Sequence, residues 1–526
     1  MGHFGRRVPE YGIGRHVDAA SVWRSTPYMT TRRSDEVAHD VAIVGAGFSG
    51  LCMAIQLKRD GVQDFVVFDK ASDVGGVWRD NVYPGCGCDV PSHLYSYSFA
   101  RYAGWSRAYP KQQEILDYLH RCVKRWKLAP HLRLDTEIVA AEWEAQESLW
   151  RLRDASGSEY TARVLVCGVG QLNRPRYPSV EGRETFEGAA FHSARWDTAW
   201  PPEAFAGKDV AVIGTGASAV QFVPEIAAHA RNLYVFQRSA NWVIPKYDYA
   251  FGPLSRWAFR RVPGLRLAMR GFIYALVGET LLYSAIAGNP LGRGVQKFST
   301  RHMRKQIPDD TELRAKLTPD FPIGCKRILI SDDWYPALAR DNVEVVTEAV
   351  TEVTPHGVRT EDGRERDVSV LIYGTGFRAT EFLAPIDIVG RDGARLHDRW
   401  REGATAYLGM AVPEFPNMFL LYGPNTNGGS GSVVNTLECG IGHVLAALRE
   451  MENARARRIE VRPEVAADFD RELRAALAKT VWHSGCSNWY VDENGNDPSN
   501  WPWVWSTYKR RTERLVPGAY ELAETR

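Results

Sequence analysis

The stretch Asp40-Val-Ala-Ile-Val-Gly45-Ala-Gly47-Phe-Ser-Gly50 decides the fold, because the chain repeats it as Asp209-Val-Ala-Val-Ile-Gly214-Thr-Gly216-Ala-Ser-Ala219. Each copy reads as a short buried strand, a glycine turn and a helix start. Small residues at these positions let the backbone approach a pyrophosphate, and the open helix N-terminus offers N–H donors at a positive dipole end. The copies part company 19 positions after their last small residue, where Asp69 follows Gly50 and Arg238 follows Ala219. A carboxylate at the end of the next strand accepts from a free ribose 2′-OH, whereas an arginine pairs with a 2′-phosphate. The first site therefore suits FAD or NAD and the second NADP. A redox enzyme holding two nucleotides is expected.

Working outward, Phe65-Val-Val-Phe68 reads as the strand after the first fingerprint, closed by Asp69. Ile138 to Leu152 alternates around a turn at Gln146-Glu-Ser148, an antiparallel excursion, and Arg163-Val-Leu-Val-Cys-Gly168 is a buried strand ending in glycine. Val343-Glu-Val-Val346 and Val368-Ser-Val-Leu-Ile-Tyr373 return to strands, the latter running into Gly374-Thr-Gly376, where backbone can again approach a cofactor. Leu437 to Met451 has helical periodicity. With no low-complexity linker, the expected fold is α/β: two interleaved Rossmann-like dinucleotide-binding domains, for FAD and NADP, with a helical insertion in the NADP domain. The expected division is an N-terminal arm (1–38), FAD domain (39–155), NADP domain (156–245), helical insertion (246–320), NADP domain again (321–374) and FAD domain again (375–526).

Composition sets bounds on function. The chain has 526 residues, enough for several domains, and a net charge of +2 that gives no case for a nucleic-acid partner. Its eight cysteines show neither a CxxC pair nor zinc spacing, so no metal is expected, and they read as buried or incidental thiols of a reducing, cytoplasmic compartment. Most of the 17 tryptophans read as core anchors. The most apolar run, Gly271 to Ala287, is short for a membrane span and carries Glu279 in its middle. A buried helix is the expectation for it. Arg256, Arg260, Arg261, Arg266 and Arg270 just upstream leave weak peripheral membrane contact as the alternative.

Between the fingerprints lies Phe186-Glu-Gly188-Ala-Ala-Phe-His192-Ser-Ala-Arg-Trp196-Asp197. The pattern Phe-x-Gly-x-x-x-His-x-x-x-Trp-Asp resembles the signature of the Baeyer–Villiger monooxygenases, and its Trp-Asp ending separates it from relatives that oxidise nitrogen and sulfur. Gly75-Gly76-Val-Trp78-Arg-Asp-Asn-Val-Tyr83-Pro-Gly85-Cys-Gly-Cys-Asp89 is similar to a second family segment, which implicates Gly76, Trp78 and Tyr83 in cofactor binding. The tail, Trp482 to Tyr490 and Trp501-Pro-Trp503, resembles the branch that includes 4-hydroxyacetophenone monooxygenase. One departure stands out: Gly374-Thr-Gly-Phe-Arg378 has arginine where the family usually has aspartate.

The resemblance implies a monooxygenase that uses FAD, NADPH and O₂ to insert oxygen beside a ketone carbonyl, through a flavin C4a-peroxide kept anionic and dry. It assigns the required fixed cation to Arg327 of Gly324-Cys-Lys-Arg327, with Asp89 as its orienting partner. A guanidinium stays charged, so its role is electrostatic and not acid catalysis. Lys326 and Ser239 would join Arg238 on the 2′-phosphate. His192 reads as a neutral imidazole fixing a loop, and Trp196 as a packing residue. Three rivals remain at this point: amine or sulfide oxygenation, which wants a protonated peroxide and so sits badly with Arg327; a disulfide-type reductase, for which a cysteine pair is lacking; and a nucleotide-binding redox sensor without turnover.

Overall fold

The computed structural model describes residues 38–524 except 282, 284, 285, 429, 430 and 487; nearly all of the expected N-terminal arm lies outside the described residues. Two sheets organise the chain. The first runs in the order Asp387–Val389, Ile138–Glu144, Leu149–Asp154, Glu159–Cys167, Ala38–Val44, Phe65–Phe68, Leu132–Arg133, with Met418–Leu420 also pairing along Glu159–Cys167. Its central pairs are parallel, and the Ile138–Glu144 and Leu149–Asp154 strands form the antiparallel excursion expected around residue 147. The second sheet is parallel throughout: Val343–Val346, Asn232–Phe236, Asp209–Ile213, Val370–Tyr373, Ala189–His192. Strands such as Val-Leu-Ile-Tyr can be apolar throughout because both faces of such a sheet are covered.

Each fingerprint strand feeds a helix, Phe48–Arg59 in the first unit and Ala217–Ala227 in the second. Leu51 and Ile55 of the first share a buried cluster with Ile441 and Val444 of the long Val433–Asn453 helix, so the chain's return to the first unit closes its core. Phe222 and Ile226 of the second pack with Trp334 and Leu338.

Two expectations are corrected. Glu159–Cys167, assigned by the boundary at 156 to the NADP domain, pairs with both Ala38–Val44 and Met418–Leu420 and so belongs to the first sheet. An apolar run announces a strand but not its sheet. The insertion is helical as expected (Pro253–Arg261, Leu265–Ile273, the π-helical Tyr274–Leu281, Pro290–Gln306, Thr311–Lys316), and its helices pack on more than one core. Phe259 packs in the first unit's core, Met303 in the second's and Ile286 with the C-terminal aromatics. Finally, the Gly271 to Ala287 run is no buried helix: Phe272 is 65% and Leu276 45% exposed. Among the described residues no helix is long and apolar enough to cross a membrane.

Candidate active site

The two fingerprints close on their sheets in the same way. Gly45 and Gly214 have φ of +103° and +105°, in the left-handed region, and a Cβ on either would lie 2.6 or 2.5 Å from the carbonyl oxygen of Gly168 or Gly374. Those are the residues where the neighbouring strands end. Glycine is thus demanded twice over, by conformation and by space. Both helices begin on glycine, Gly47 and Gly216, with no side chain capping the first turn, so their leading N–H groups stay open to a phosphate. A Cβ on Gly76 would lie 3.2 Å from the Gly47 Cα, which presses a second backbone segment onto the first turn. This cradle, emptied of side chains and lined by N–H donors, fits a dinucleotide. Gly376 has φ +80° just past Gly374.

Asp69 is buried at the end of its strand. Its carboxylate accepts from the backbone N–H of Ala46 at 2.7 Å and of Ala71 at 3.0 Å, and pairs with Arg79 at 3.2 Å. The acid therefore braces the very turn that would hold the pyrophosphate. In the second unit, the Lys326 ammonium donates to the Ser239 hydroxyl at 2.7 Å, beside Arg238. Burial, then the Arg238 charge, pulls the Lys326 pKa down, partly offset by Asp320. The three residues expected around a 2′-phosphate are thus brought together from two segments 87 residues apart.

The Lys326–Arg327 pair reaches in two directions. Its chain is anchored to the second unit through Leu329–Ile330, which pairs with Val243–Ile244. Arg327 donates to Asp89 at 3.3 Å. Burial is the largest single influence and opposes its charge, but the Asp89 carboxylate, Tyr490, Tyr422 and Cys88 together outweigh it, so the guanidinium is held above its usual value. Tyr422 lies just beyond Met418–Leu420, at the carboxyl end of a first-sheet parallel strand, where open α/β sheets bind ligands. Arg327 still keeps 42% of its side-chain surface open. It is a charged group that Asp89 holds without covering it.

Asp89 has further partners that sequence reasoning missed. The Gln221 amide donates to it at 3.1 Å and to the Gly87 carbonyl at 3.1 Å, while the Gly87 N–H and the Tyr83 hydroxyl donate back to Gln221 at 3.1 and 3.3 Å. The Lys246 ammonium stands 3.7 Å from the same carboxylate oxygen that Gln221 meets. Gln221 lies on the second fingerprint's helix, so that helix clamps the loop that follows Trp78. Trp78 itself donates to the Tyr95 hydroxyl at 2.9 Å. No motif marks Gln221, Lys246 or Tyr422, and Tyr490 falls only at the end of the tail resemblance; Gln221's place two residues past Ala219, on the second fingerprint's helix, offers the one further signal.

The Phe186–Asp197 signature does not meet Arg327. Phe186 packs in a cluster under the second sheet, and a Cβ on Gly188 would lie 2.6 Å from the Ser369 carbonyl. His192 is fully buried; its Nδ1 accepts from the Ala194 N–H at 3.0 Å, capping the short turn that follows, and burial drives its pKa down to about 4. Trp196 sits in the second unit's core against Phe191 and Phe222, its indole N–H donating to the Trp200 carbonyl at 3.0 Å. Asp197 is exposed and accepts from the Ala199 N–H at 2.9 Å. Arg378, the departure from the family pattern, is a half-exposed partner of Glu381. The cysteines need a correction: Cys325 and Cys486 form a disulfide, Cα atoms 6.4 Å apart and 161 residues distant in sequence, tying the Lys326–Arg327 segment to the tail that carries Tyr490. Cys86 and Cys88 are buried thiols, both pushed up to about 12 by burial.

Comparison with known proteins places this geometry. The flavin-binding monooxygenase-like family matches residues 38–262. A Baeyer–Villiger monooxygenase of Pseudomonas aeruginosa is 43% identical over 92% of both chains, and one of Streptomyces coelicolor 38% over 92% of both. Among solved structures, an oxidized steroid monooxygenase bound to NADP superposes with a TM-score of 0.82 at 30% identity, and a closed cyclohexanone monooxygenase with 0.83 at 28%; each comparison covers 93% of this chain and all of the other. With a chain-long likeness of this kind added to the doubled nucleotide cradle and the Asp89–Arg327 pair, the protein belongs to the Baeyer–Villiger monooxygenases.

Proposed function

We propose that the protein converts a ketone, with NADPH and O₂, into the ester or lactone, and that Arg327 is its catalytic residue. FAD and NADPH are the cofactors, as in the solved relatives with both bound; the reduced flavin supplies activated oxygen. The first cradle, Gly45, Gly47, Gly50, Gly76 and Asp69, would hold FAD, with Trp78 and Tyr83 behind it. The second, Gly214, Gly216 and Ala219 with Gly374 and Gly376 alongside, would hold NADPH, its 2′-phosphate on Arg238, Ser239 and Lys326.

One observation supports the reading: a permanent cation, Arg327, keeps 42% of its side-chain surface accessible while Asp89 holds its orientation. When the ketone carbon turns tetrahedral, its oxygen gains negative charge. A guanidinium already aimed and partly desolvated stabilises that charge without reorganising. Asp89 acts through Arg327, and Gln221 and Lys246 act through Asp89; these three are positioning residues.

The test is Arg327→Ala. The variant should bind FAD and still be bleached by NADPH, while ester formation falls by about 10²–10³. Products are followed as a gain of one oxygen atom across a ketone panel. Native ester yield from Arg327→Ala would sink the assignment.

A further inference from the structure

The helical insertion presents large apolar residues to solvent as well as to the cores. On Leu265–Ile273 and the start of the π-helical Tyr274–Leu281 segment, the exposed positions are Leu267, Ala268, Gly271, Phe272, Ala275 and Leu276, an apolar strip that runs as far as the exposed Thr280. The inner face carries Arg270, buried and held by the carbonyls of Leu94 and Ser96 at 2.9 and 2.8 Å and by Asn435 at 2.7 Å. Leu265 and Met269 pack on the first unit's core beside it, so the helix is apolar on both faces, and the seat of Arg270 fixes which of them meets solvent. The preceding Pro253–Arg261 helix adds Leu254 and Trp257 one turn apart, 77% and 57% exposed. Of the 13 large apolar side chains exposed among the described residues, ten lie between Tyr247 and Phe298. Scattered exposure is ordinary, but concentration of this kind marks an interaction surface.

Charge selects the partner. Residues 249–308 carry ten Lys or Arg and a single acid, Glu279, in a chain whose net charge is only +2. Glu279 is turned inward, accepting from the Ser506 N–H at 2.8 Å. Arg256, Arg260 and Arg261 are exposed on the helix that bears Leu254 and Trp257. A second copy of this chain meeting the same face would set arginine against arginine, which disfavours a symmetric dimer. An anionic bilayer satisfies both features at once, taking the apolar strip below its headgroups and the arginines among its phosphates. We propose that the Pro253–Leu281 segment is a membrane-surface anchor, by which the enzyme lies on anionic phospholipid without crossing it. The proposal is independent of the reaction assigned above.

The test is co-sedimentation of the full-length holoenzyme with sucrose-loaded vesicles of phosphatidylcholine, with or without about one third phosphatidylglycerol. The protein should pellet with the anionic vesicles, with partition falling roughly five-fold for each charge removed in Arg260→Gln and Arg261→Gln, and with most binding lost at about 1 M salt. Trp257→Ser combined with Phe272→Ser should abolish pelleting while leaving FAD content and ketone turnover in solution unchanged, which separates a lost surface from a lost fold. Failure of the native protein to pellet would overturn the proposal, as would serine variants that pellet normally. A dimer in solution that the serine changes dissolve would also overturn it, because the strip would then be a contact between copies.

Discussion

The two nucleotide units are near copies in backbone and differ in how much room each leaves. The third small position is glycine in the first unit and alanine in the second. A Cβ at Gly50 would lie 1.8 Å from the Gly45 carbonyl oxygen, so the first helix touches its own turn with nothing between. In the second unit the Ala219 methyl is already seated, and even a Cβ added at Gly374 would stand 3.5 Å from it. One unit is closed to the last hydrogen; the other holds its helix about one methyl further out. The largest expected effect follows. Gly50→Ala should force the Phe48–Arg59 helix off the turn, cost about 3 kcal/mol or more, and yield protein stripped of FAD. Ala219→Gly should cost only about 1 kcal/mol of helix stability and leave NADPH affinity within about two-fold. Denaturant melts and flavin content check both, and a yellow Gly50→Ala protein of native stability would contradict the close approach.

The units also differ in how their marker charges are satisfied. Asp69 is 8% accessible and already pairs with Arg79 and two backbone N–H groups, so its site is neutralised from within. Arg238 stands beside a second cation, Lys326, whose charge it opposes. The second site is thus short of negative charge, and a 2′-phosphate would supply it. Arg238→Ala should weaken NADPH by about 1.5–3 kcal/mol, the usual worth of a charged hydrogen bond, and leave NADH nearly unchanged. Lys326→Ala should act in the same direction and more weakly, because relief of the Arg238 repulsion offsets part of the loss. Isothermal titration with both coenzymes decides it: equal losses for NADPH and NADH would mean that neither cation reads the phosphate.

What sequence could and could not tell follows the same division between local and long-range physics. The fingerprints, the opposed charges at Asp69 and Arg238 and the strands flanking them are local patterns, and each appears where its spacing put it. The meeting of Asp89 with Arg327, 238 residues apart, was legible only through family resemblance. Gln221, which holds Asp89, was not legible, because a glutamine on a helix has no spacing rule. The Cys325–Cys486 bridge spans 161 residues and obeys none either. Arg163 to Gly168 reads as a strand, and the structure has one over Glu159–Cys167, but in the first sheet and not the second, since hydrophobicity specifies burial and not the neighbour. The Gly271 run shows the converse: an apolar run reads as buried, yet Phe272 and Leu276 face solvent, and the seat of Arg270 shows which way the helix is turned.

His192 gives the smallest effect and isolates the second unit's response to acid. It ends the edge strand Ala189–His192, fully buried, and uses its unprotonated Nδ1 to accept from Ala194. Burial lowers its pKa from 6.5 to about 4, so the folded protein refuses a proton that the unfolded chain accepts. The sign follows directly. Above pH 6.5 both states are neutral and nothing is lost; as pH falls from 6.5 towards 4, the unfolded state alone gains a proton and stability drops. The expected loss is of order 1–2 kcal/mol at pH 5. His93 and His443, also lowered to about 4 by burial, add losses of the same sign, so the whole protein should become acid-labile in this window. His192→Asn removes one share, because the amide oxygen can cap the same turn without titrating. Urea melts at pH 7.5 and pH 5 should therefore show the variant gaining on the native protein by that 1–2 kcal/mol. An unchanged gap between them would mean that His192 is protonated in the fold, with Ala194 left to another acceptor.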